Sequence, residues 1–178
     1  MAYLLLHGLE GSGPDHWQSW LARRLRERGE LVAYPDLPDA DAPRLEAWLA
    51  ALEQELARLP LAETTVLCHS LGCLLWLHHD GLAVDRALLV APTQPDEEVP
   101  PAVGFRPLPA PRSAAHETRF VCSTDDPWCP RERSAELARQ VAAPLDWVED
   151  GGHLNSDAGY GPWPALEAWC LGERERPV

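Results

Sequence analysis

One stretch of this 178-residue chain decides its fold: Thr64-Thr65-Val66-Leu67-Cys68-His69-Ser70-Leu71-Gly72-Cys73-Leu74-Leu75. The β-branched and apolar residues at its start predict a buried strand, and the apolar run after the turn predicts a helix over residues 71–79. Ser70 lies at the turn between them. Two positions before it stands Cys68 and two positions after it stands Gly72, both small. Small residues are required there because a strand and a helix joined by so sharp a turn pass close together.

A serine at such a strand-to-helix turn is the pattern called the nucleophile elbow. The turn holds the serine in a strained backbone conformation of the kind found at active sites. The backbone N–H of Leu71 begins the helix, where free donors favour negative charge, so we expect it to form half of an oxyanion hole. Cys68 replaces the first glycine of G-x-S-x-G, so the match is partial. The alternative is an ordinary turn in which Ser70 caps the helix.

The composition excludes several classes of function. A formal net charge of −13 leaves no basic surface for nucleic acid or anionic lipid. The five cysteines lack C-x-x-C spacing, which disfavours a zinc site or a disulfide framework and favours reduced thiols in a cytoplasmic protein. The apolar run Ala2–Leu6 is too short for a signal or membrane segment. All basic residues are arginine, which we interpret as the mark of a GC-rich bacterial genome.

Strand and helix patterns alternate along the chain. Besides the strand before Ser70, strands are predicted at residues 2–6, 31–35, 85–91, 118–123 and 145–148. Helices are predicted from Pro14 or Asp15 to Gly29 and over residues 43–59, 131–142 and 163–171. This alternation predicts a single domain over residues 1–178, with a mostly parallel sheet of about six strands between helix layers, a three-layer α/β/α sandwich.

A glycine-rich loop, His7-Gly8-Leu9-Glu10-Gly11-Ser12-Gly13, follows the first strand. It lacks the Gly-Lys-Ser/Thr ending of a P-loop and the G-x-G-x-x-G spacing of a dinucleotide site, which disfavours phosphate binding. We expect it to fold over Ser70, with the Leu9 N–H as the second oxyanion donor. His16 and Trp17 are predicted to line the mouth of the site. Strand alternation predicts that His69 points away from Ser70 and packs or hydrogen-bonds elsewhere.

Residues 92–115, from Pro92 to Ala115, break the alternation because they are rich in proline and polar residues. A loop of this length in a compact domain is commonly functional, and it begins where open α/β sheets bind ligands. We predict a partial cover over the site, with Phe105 and Leu108 as wall residues. A disordered surface loop is the alternative.

Three strand ends carry Ser70, the acidic pair Asp125-Asp126 and His153, in the chain order of α/β-hydrolases. The histidine would accept the serine proton and later return it to the leaving group. A buried carboxylate would hold the imidazole in the required tautomer. Asp126 is preferred because it precedes Pro127, whose fixed turn would aim the carboxylate at the histidine; Asp125 stays the alternative.

These motifs resemble the small α/β-hydrolases related to the retinoblastoma-binding serine hydrolase. The resemblance rests on His7-Gly8 leading into Asp15-His16-Trp17, on His69-Ser70-Leu71-Gly72, on Ser123-Thr124-Asp125-Asp126-Pro127 and on Gly152-His153. It implies a minimal α/β-hydrolase fold without a large lid. It also implies Ser70, Asp126 and His153 as the triad, and an esterase-like activity on small acyl substrates. It does not fix the substrate, because one fold supports many functions.

The sequence therefore predicts a cytoplasmic serine hydrolase, without cofactor or metal, that cleaves small carboxylic esters or amides through an acyl-enzyme. A small lid predicts a shallow pocket that favours short acyl chains. The alternative is a protein-interaction module with a vestigial hydrolase site. Its acidic surface and residues 92–115 would then contact a protein partner.

Overall fold

A computed structural model describes residues 1–94, 104–105, 108 and 111–178. Its six strands form one sheet in the order β2-β1-β3-β4-β5-β6, and every neighbouring pair is parallel. The predicted parallel sheet is therefore confirmed. The strands are β1 (Ala2–Leu6), β2 (Leu31–Ala33), β3 (Thr64–His69), β4 (Val84–Val90), β5 (Ala115–Ser123) and β6 (Leu145–Val148).

Helices cover both faces of the sheet. In the described residues they are α1 (Trp17–Glu27), α2 (Leu45–Leu56), α3 (Leu71–His78), α4 (Arg131–Val141) and α5 (Pro164–Cys170). Helices α2, α3 and α4 pack with one face of the sheet into one core, and α1 and α5 pack with the other face into a second core. This arrangement is the predicted three-layer α/β/α sandwich. None of the helices in these described ranges is both long and apolar enough to span a bilayer.

The central strands are apolar throughout because each contributes side chains to both cores. Along β1, Leu4 and Leu6 enter the first core, whereas Tyr3 and Leu5 enter the second. Successive side chains of a strand point to opposite faces, so a strand covered on both sides has no polar face. The continuous apolar run of β1 follows from this double burial.

Several element boundaries differ from the sequence predictions, and two of these differences have a clear local cause. Strand β5 begins at Ala115 rather than at residue 118, because its polar first residues continue the backbone ladder with β4, where Ala115 pairs with Val84. Helix α1 begins at Trp17 rather than at residue 14 or 15. Its amino end is capped by His16, whose side chain accepts a hydrogen bond from the Gln18 N–H.

The strand order fixes where a ligand can bind. From β1 the chain passes to β2 on one side, whereas β3 leads to β4, β5 and β6 on the other. Open α/β sheets bind ligands at such a switch point, outside the carboxyl ends of the strands. The loops after β1, β3, β5 and β6 all leave from this edge, and they carry the residues predicted to react.

Candidate active site

Ser70 lies at the turn between β3 and α3 with φ 54° and ψ −122°. Non-glycine residues rarely adopt a positive φ, and such strain persists only where the surroundings impose it. A Cβ on Gly72 would lie 2.5 Å from the Leu6 carbonyl oxygen and 2.7 Å from that of His7, so only glycine fits there. Cys68 is fully buried and packs into the first core. The turn therefore has the geometry that its sequence predicts.

Ser70, His153 and Asp126 form a continuous chain of hydrogen bonds. The Ser70 Oγ lies 2.9 Å from His153 Nε2. On the other side of the ring, Nδ1 lies 3.0 Å from both carboxylate oxygens of Asp126. The ionised carboxylate can only accept, so Nδ1 carries the imidazole proton and Nε2 is left to accept from the serine hydroxyl. All three residues are buried.

Asp125 has a different role from its neighbour. Its Oδ1 accepts hydrogen bonds from the Ser123 hydroxyl at 2.6 Å and from the Gly152 N–H at 2.8 Å. These two bonds hold the pKa of Asp125 below its usual value, and the bond from Ser123 has the larger effect. Asp125 thus ties the loop after β5 to the loop that carries His153, whereas Asp126 faces the imidazole itself.

The glycine-rich loop passes directly over the serine. A Cβ on Gly8 would lie 2.7 Å from the Ser70 Cβ and 3.2 Å from its Oγ. Leu9 and Leu71 both line the cavity at Ser70. The two residues predicted to supply the oxyanion donors thus lie at the same cavity as Ser70.

His7 fixes the start of this loop. Its Nε2 accepts a hydrogen bond from the Leu37 N–H at 2.9 Å, so its proton lies on Nδ1, which donates to the Gly8 carbonyl at 2.7 Å. Burial lowers the pKa of His7, so the ring stays neutral and both bonds persist at neutral pH. His7 thus orders the start of the glycine-rich loop.

Gln18 fixes the rest of the loop, although no role is predicted for it from the sequence. Its side chain is fully buried. The amide donates to the Leu6 carbonyl at 3.0 Å and to the Leu67 carbonyl at 3.3 Å, and its oxygen accepts from the Ser12 hydroxyl at 2.8 Å. One side chain thus joins β1, β3 and the glycine-rich loop. The available signal was a polar residue between Trp17 and Leu21 on the apolar face of α1.

Two further histidines pack beside His153. His69 contacts it at 4.9 Å between ring centroids and donates from Nε2 to its carbonyl oxygen at 2.9 Å; His16 packs on His69 at 4.7 Å. Burial, followed by the charge of His153, lowers the pKa of His16 to about 4 and that of His69 well below its usual value. The packing and hydrogen-bonding role predicted for His69 is thus what the structure shows, and the residue also lines the cavity.

The site opens into a cavity of about 370 Å³. His16 lines it as predicted, together with residues that the sequence analysis did not single out: Glu10, Thr93, Trp128, Asn155, Ser156 and Asp157. Trp128 had a signal, since it stands in a polar loop two residues after Asp126 where no core surrounds it. No group of three His, Cys, Asp or Glu side chains in the described ranges is placed to hold a metal ion.

Two predicted substrate-binding residues do not reach this cavity. Trp17 is fully buried in the second core, packed edge-on against His69 and Trp163. Phe105 is fully buried in the first core against Trp48. Large aromatic rings bury more surface in a core than at a rim, which explains both corrections. The predicted cover lies largely outside the described residues, which omit 95–103, 106–107 and 109–110.

Comparison with known proteins shows which family the chain resembles. The sequence model described as serine hydrolase matches residues 3–170. YdeN of Bacillus subtilis (strain 168) is 31% identical over 174 residues, which span 91% of this chain and 90% of YdeN. The crystal structure of the ydeN gene product superposes with a TM-score of 0.83 at 27% identity, covering 97% of both chains.

More distant structures share the fold. A YdeN-like protein from Pectobacterium atrosepticum has a TM-score of 0.78 at 24% identity, covering 97% of this chain and 91% of its own. MGS-MChE2, an α/β-hydrolase enzyme from a sediment metagenome, has a TM-score of 0.67 at 17% identity, covering 97% of this chain and 89% of its own. The sheet described above is thus that of an α/β-hydrolase, and the chain belongs to the serine hydrolase family.

Proposed function

We propose that this protein hydrolyses small carboxylic esters through an acyl-enzyme formed on Ser70. The observation that carries the proposal is the hydrogen-bond chain from Ser70 Oγ to His153 Nε2, at 2.9 Å, and from His153 Nδ1 to Asp126, at 3.0 Å. A serine hydroxyl is a weak nucleophile at neutral pH, and an adjacent base oriented by a third group activates it.

Acylation is the first half of the reaction. His153 Nε2 takes the hydroxyl proton while Ser70 Oγ attacks the ester carbonyl carbon, and the carbonyl oxygen becomes an oxyanion. The N–H groups of Leu9 and Leu71 stabilise that oxyanion, and Asp126 stabilises the imidazolium. His153 then gives the proton to the alcohol oxygen as the bond between carbonyl carbon and that oxygen breaks. The alcohol leaves and the acyl group stays on Ser70.

Deacylation repeats these steps with water. His153 takes a proton from a water molecule, whose oxygen attacks the acyl carbon and forms a second oxyanion in the same N–H pair. The bond from the carbon to Ser70 Oγ then breaks, and His153 returns the proton to the serine. The products are one carboxylic acid and one alcohol, and the enzyme regains its starting state.

The dimensions of the cavity support small substrates. Its volume of about 370 Å³ is near the lower end of the range of ligand pockets, roughly 300–1,000 Å³. A short acyl group and a modest alcohol fit such a volume, whereas a long lipid chain would extend into solvent. We therefore propose short-chain esters rather than lipid esters as substrates.

We further propose that the chain is a bacterial, cytoplasmic relative of the retinoblastoma-binding serine hydrolase. The motifs that support this are the His7-Gly8 loop, His69-Ser70-Leu71-Gly72 and Gly152-His153. All five cysteines are free and buried, which suits a reducing compartment.

The test is labelling with a fluorophosphonate, which reacts only with an activated serine. We expect wild type to be labelled and Ser70→Ala and His153→Ala to remain unlabelled. Ser156→Ala is the matched control, since Ser156 lines the same cavity; it should be labelled like wild type. A folded wild type that is not labelled would refute the proposal and favour the alternative, a protein-interaction module with a vestigial site.

Hydrolysis of p-nitrophenyl esters then tests the chain length. We expect kcat/KM to be highest for acetate or butyrate and to fall for the decanoate and longer esters. A preference for the long esters would contradict the small-substrate part of the proposal, while labelling of Ser70 would still support the nucleophile.

A further inference from the structure

We propose that the preferred substrates are esters of arylmethyl alcohols that are uncharged or cationic, with the aromatic ring of the alcohol bound by Trp128. Glu10 and Asp157 would disfavour anionic substrates. This inference rests on the proposed function, because it names the substrate class of the same site.

Trp128 is an apolar ring left exposed at the cavity. Its side chain is 49% exposed, and it lines the cavity with Ser70 and His153. The other large hydrophobic side chains exposed in the described ranges, Met1, Leu31 and Leu82, do not line it. Exposed tryptophan rings are enriched where proteins bind ligands, because they bury a large apolar area at little entropic cost.

The position of this ring is fixed by its backbone. The Trp128 N–H donates to Asp126 Oδ1 at 2.9 Å, and its carbonyl oxygen accepts from the Gln94 N–H at 3.1 Å. Pro127 precedes it and restricts the chain further. The carboxylate that orients His153 thus also fixes the backbone of Trp128. A ring held in this way is a preorganised surface for a flat ligand.

The alcohol part of the ester is the part that reaches Trp128. The Trp128 and His153 rings lie 6.4 Å apart between centroids at an interplanar angle of 66°. The alcohol oxygen must come within hydrogen-bond reach of His153 Nε2 to receive its proton. The carbonyl oxygen is meanwhile directed to the N–H groups of Leu9 and Leu71. A group attached to the alcohol oxygen therefore extends along His153 to the indole.

The charges of the cavity determine which substituents the aromatic ring of the substrate can carry. Glu10 and Asp157 are exposed acidic residues in its lining, and no arginine is among the described lining residues. The chain as a whole carries a net charge of −13. Like charges repel an anionic substrate from such a site, whereas a cation is attracted by the carboxylates and by the indole face.

The first experiment tests the ring of Trp128. We would measure kcat/KM for benzyl acetate and ethyl acetate in wild type, Trp128→Ala, Trp128→Phe and Leu82→Ala. The ratio of benzyl to ethyl kcat/KM should fall about tenfold in Trp128→Ala. Trp128→Phe should keep most of the ratio, and Leu82→Ala, which removes an exposed apolar side chain away from the cavity, should keep all of it.

Two outcomes of this experiment would overturn the role of Trp128. An equal loss on both esters in Trp128→Ala would mean that the residue acts through Asp126 and His153 rather than on the ring. Methyl phenylacetate, which carries its ring on the acyl side, should be less sensitive to Trp128→Ala than benzyl acetate. A greater sensitivity would place the acyl group, not the alcohol, on the indole.

The second experiment tests the effect of substrate charge. It uses para-substituted benzyl acetates whose alcohols are similar as leaving groups. At low ionic strength, kcat/KM should decrease from the trimethylammoniomethyl ester to benzyl acetate to the carboxy ester. The cation-to-anion ratio should fall toward one in the double variant Glu10→Gln/Asp157→Asn and in high salt. Equal kcat/KM for all three esters in wild type would overturn this inference alone. No turnover together with no fluorophosphonate labelling would instead refute the proposed function.

Discussion

A single methyl group added at Gly8 should have a large effect on activity. A Cβ at this position would lie 2.7 Å from the Ser70 Cβ, 3.2 Å from its Oγ and 3.4 Å from the His69 carbonyl oxygen. Carbon atoms in contact are normally about 3.5–4.0 Å apart, so Gly8→Ala forces the loop or the serine to move by about 1 Å. Neither can move without cost, because the turn at Ser70 is strained and the loop is anchored by His7.

The expected loss follows from that displacement. A shift of about 1 Å in a positioned group costs about 10²-fold in rate, and losing one oxyanion donor costs about 10²–10³-fold. We expect kcat/KM of Gly8→Ala to fall about 10²-fold, which corresponds to about 2.7 kcal/mol. Overpacking should also lower the free energy of unfolding by about 1–3 kcal/mol.

The assay is hydrolysis of p-nitrophenyl acetate together with urea unfolding. Gly13→Ala is the matched control, because the same loop carries Gly13 and a Cβ there would meet nothing within 4 Å; its kcat/KM should stay within about threefold of wild type. A Gly8→Ala protein that retains wild-type kcat/KM would refute the argument that this loop is held against Ser70 in the reacting state.

Three further predictions concern neighbouring groups. Asp126→Asn should lower kcat about 10³–10⁴-fold by stabilising the wrong imidazole tautomer, and Asp125→Asn should lower it far less; similar losses would contradict the assignment. Gln18→Leu leaves buried carbonyls without a donor, so urea unfolding should show a loss of about 1–3 kcal/mol that the exposed Gln140→Leu does not share. Folded His16 has its pKa lowered to about 4, so the unfolded chain binds that proton first and stability falls as pH drops from about 6.5 to about 4. Between these pH values, the free energy of unfolding measured in urea should fall by about 3 kcal/mol less in His16→Gln than in wild type. An equal fall in both proteins would contradict a neutral His16.

The sheet could be predicted because its strands are buried on both faces. Double burial makes a strand an uninterrupted apolar run, as in Ala2–Leu6, and short runs of this kind between helical patterns specify a parallel sheet. The turn at Ser70 could be predicted for a different reason. Its geometry excludes large residues at fixed offsets, so a steric requirement appears directly in the sequence.

The walls of the cavity could not be predicted, because sequence position does not tell which way a side chain faces. Trp17 and Phe105 are near the site along the chain, yet both are buried in cores. Gln18 and Trp128 are exceptions of the opposite kinds: Gln18 is a polar residue that is buried, and Trp128 is an apolar residue that is exposed. Each breaks the pattern of its surroundings, so such exceptions are the sequence signals to examine when a cavity wall is sought.

The five buried thiols have a practical consequence for experiments on this protein. Cys68, Cys73 and Cys122 lie in one core and Cys170 in the other, and burial raises the pKa of each of these thiols. Thiol reagents need thiolate and access, so native cysteines should react only when a layer opens. A cysteine placed on the surface would then accept a dye without removal of the native ones, and the modification rates of Cys73 and Cys170 would time the opening of each helix layer separately.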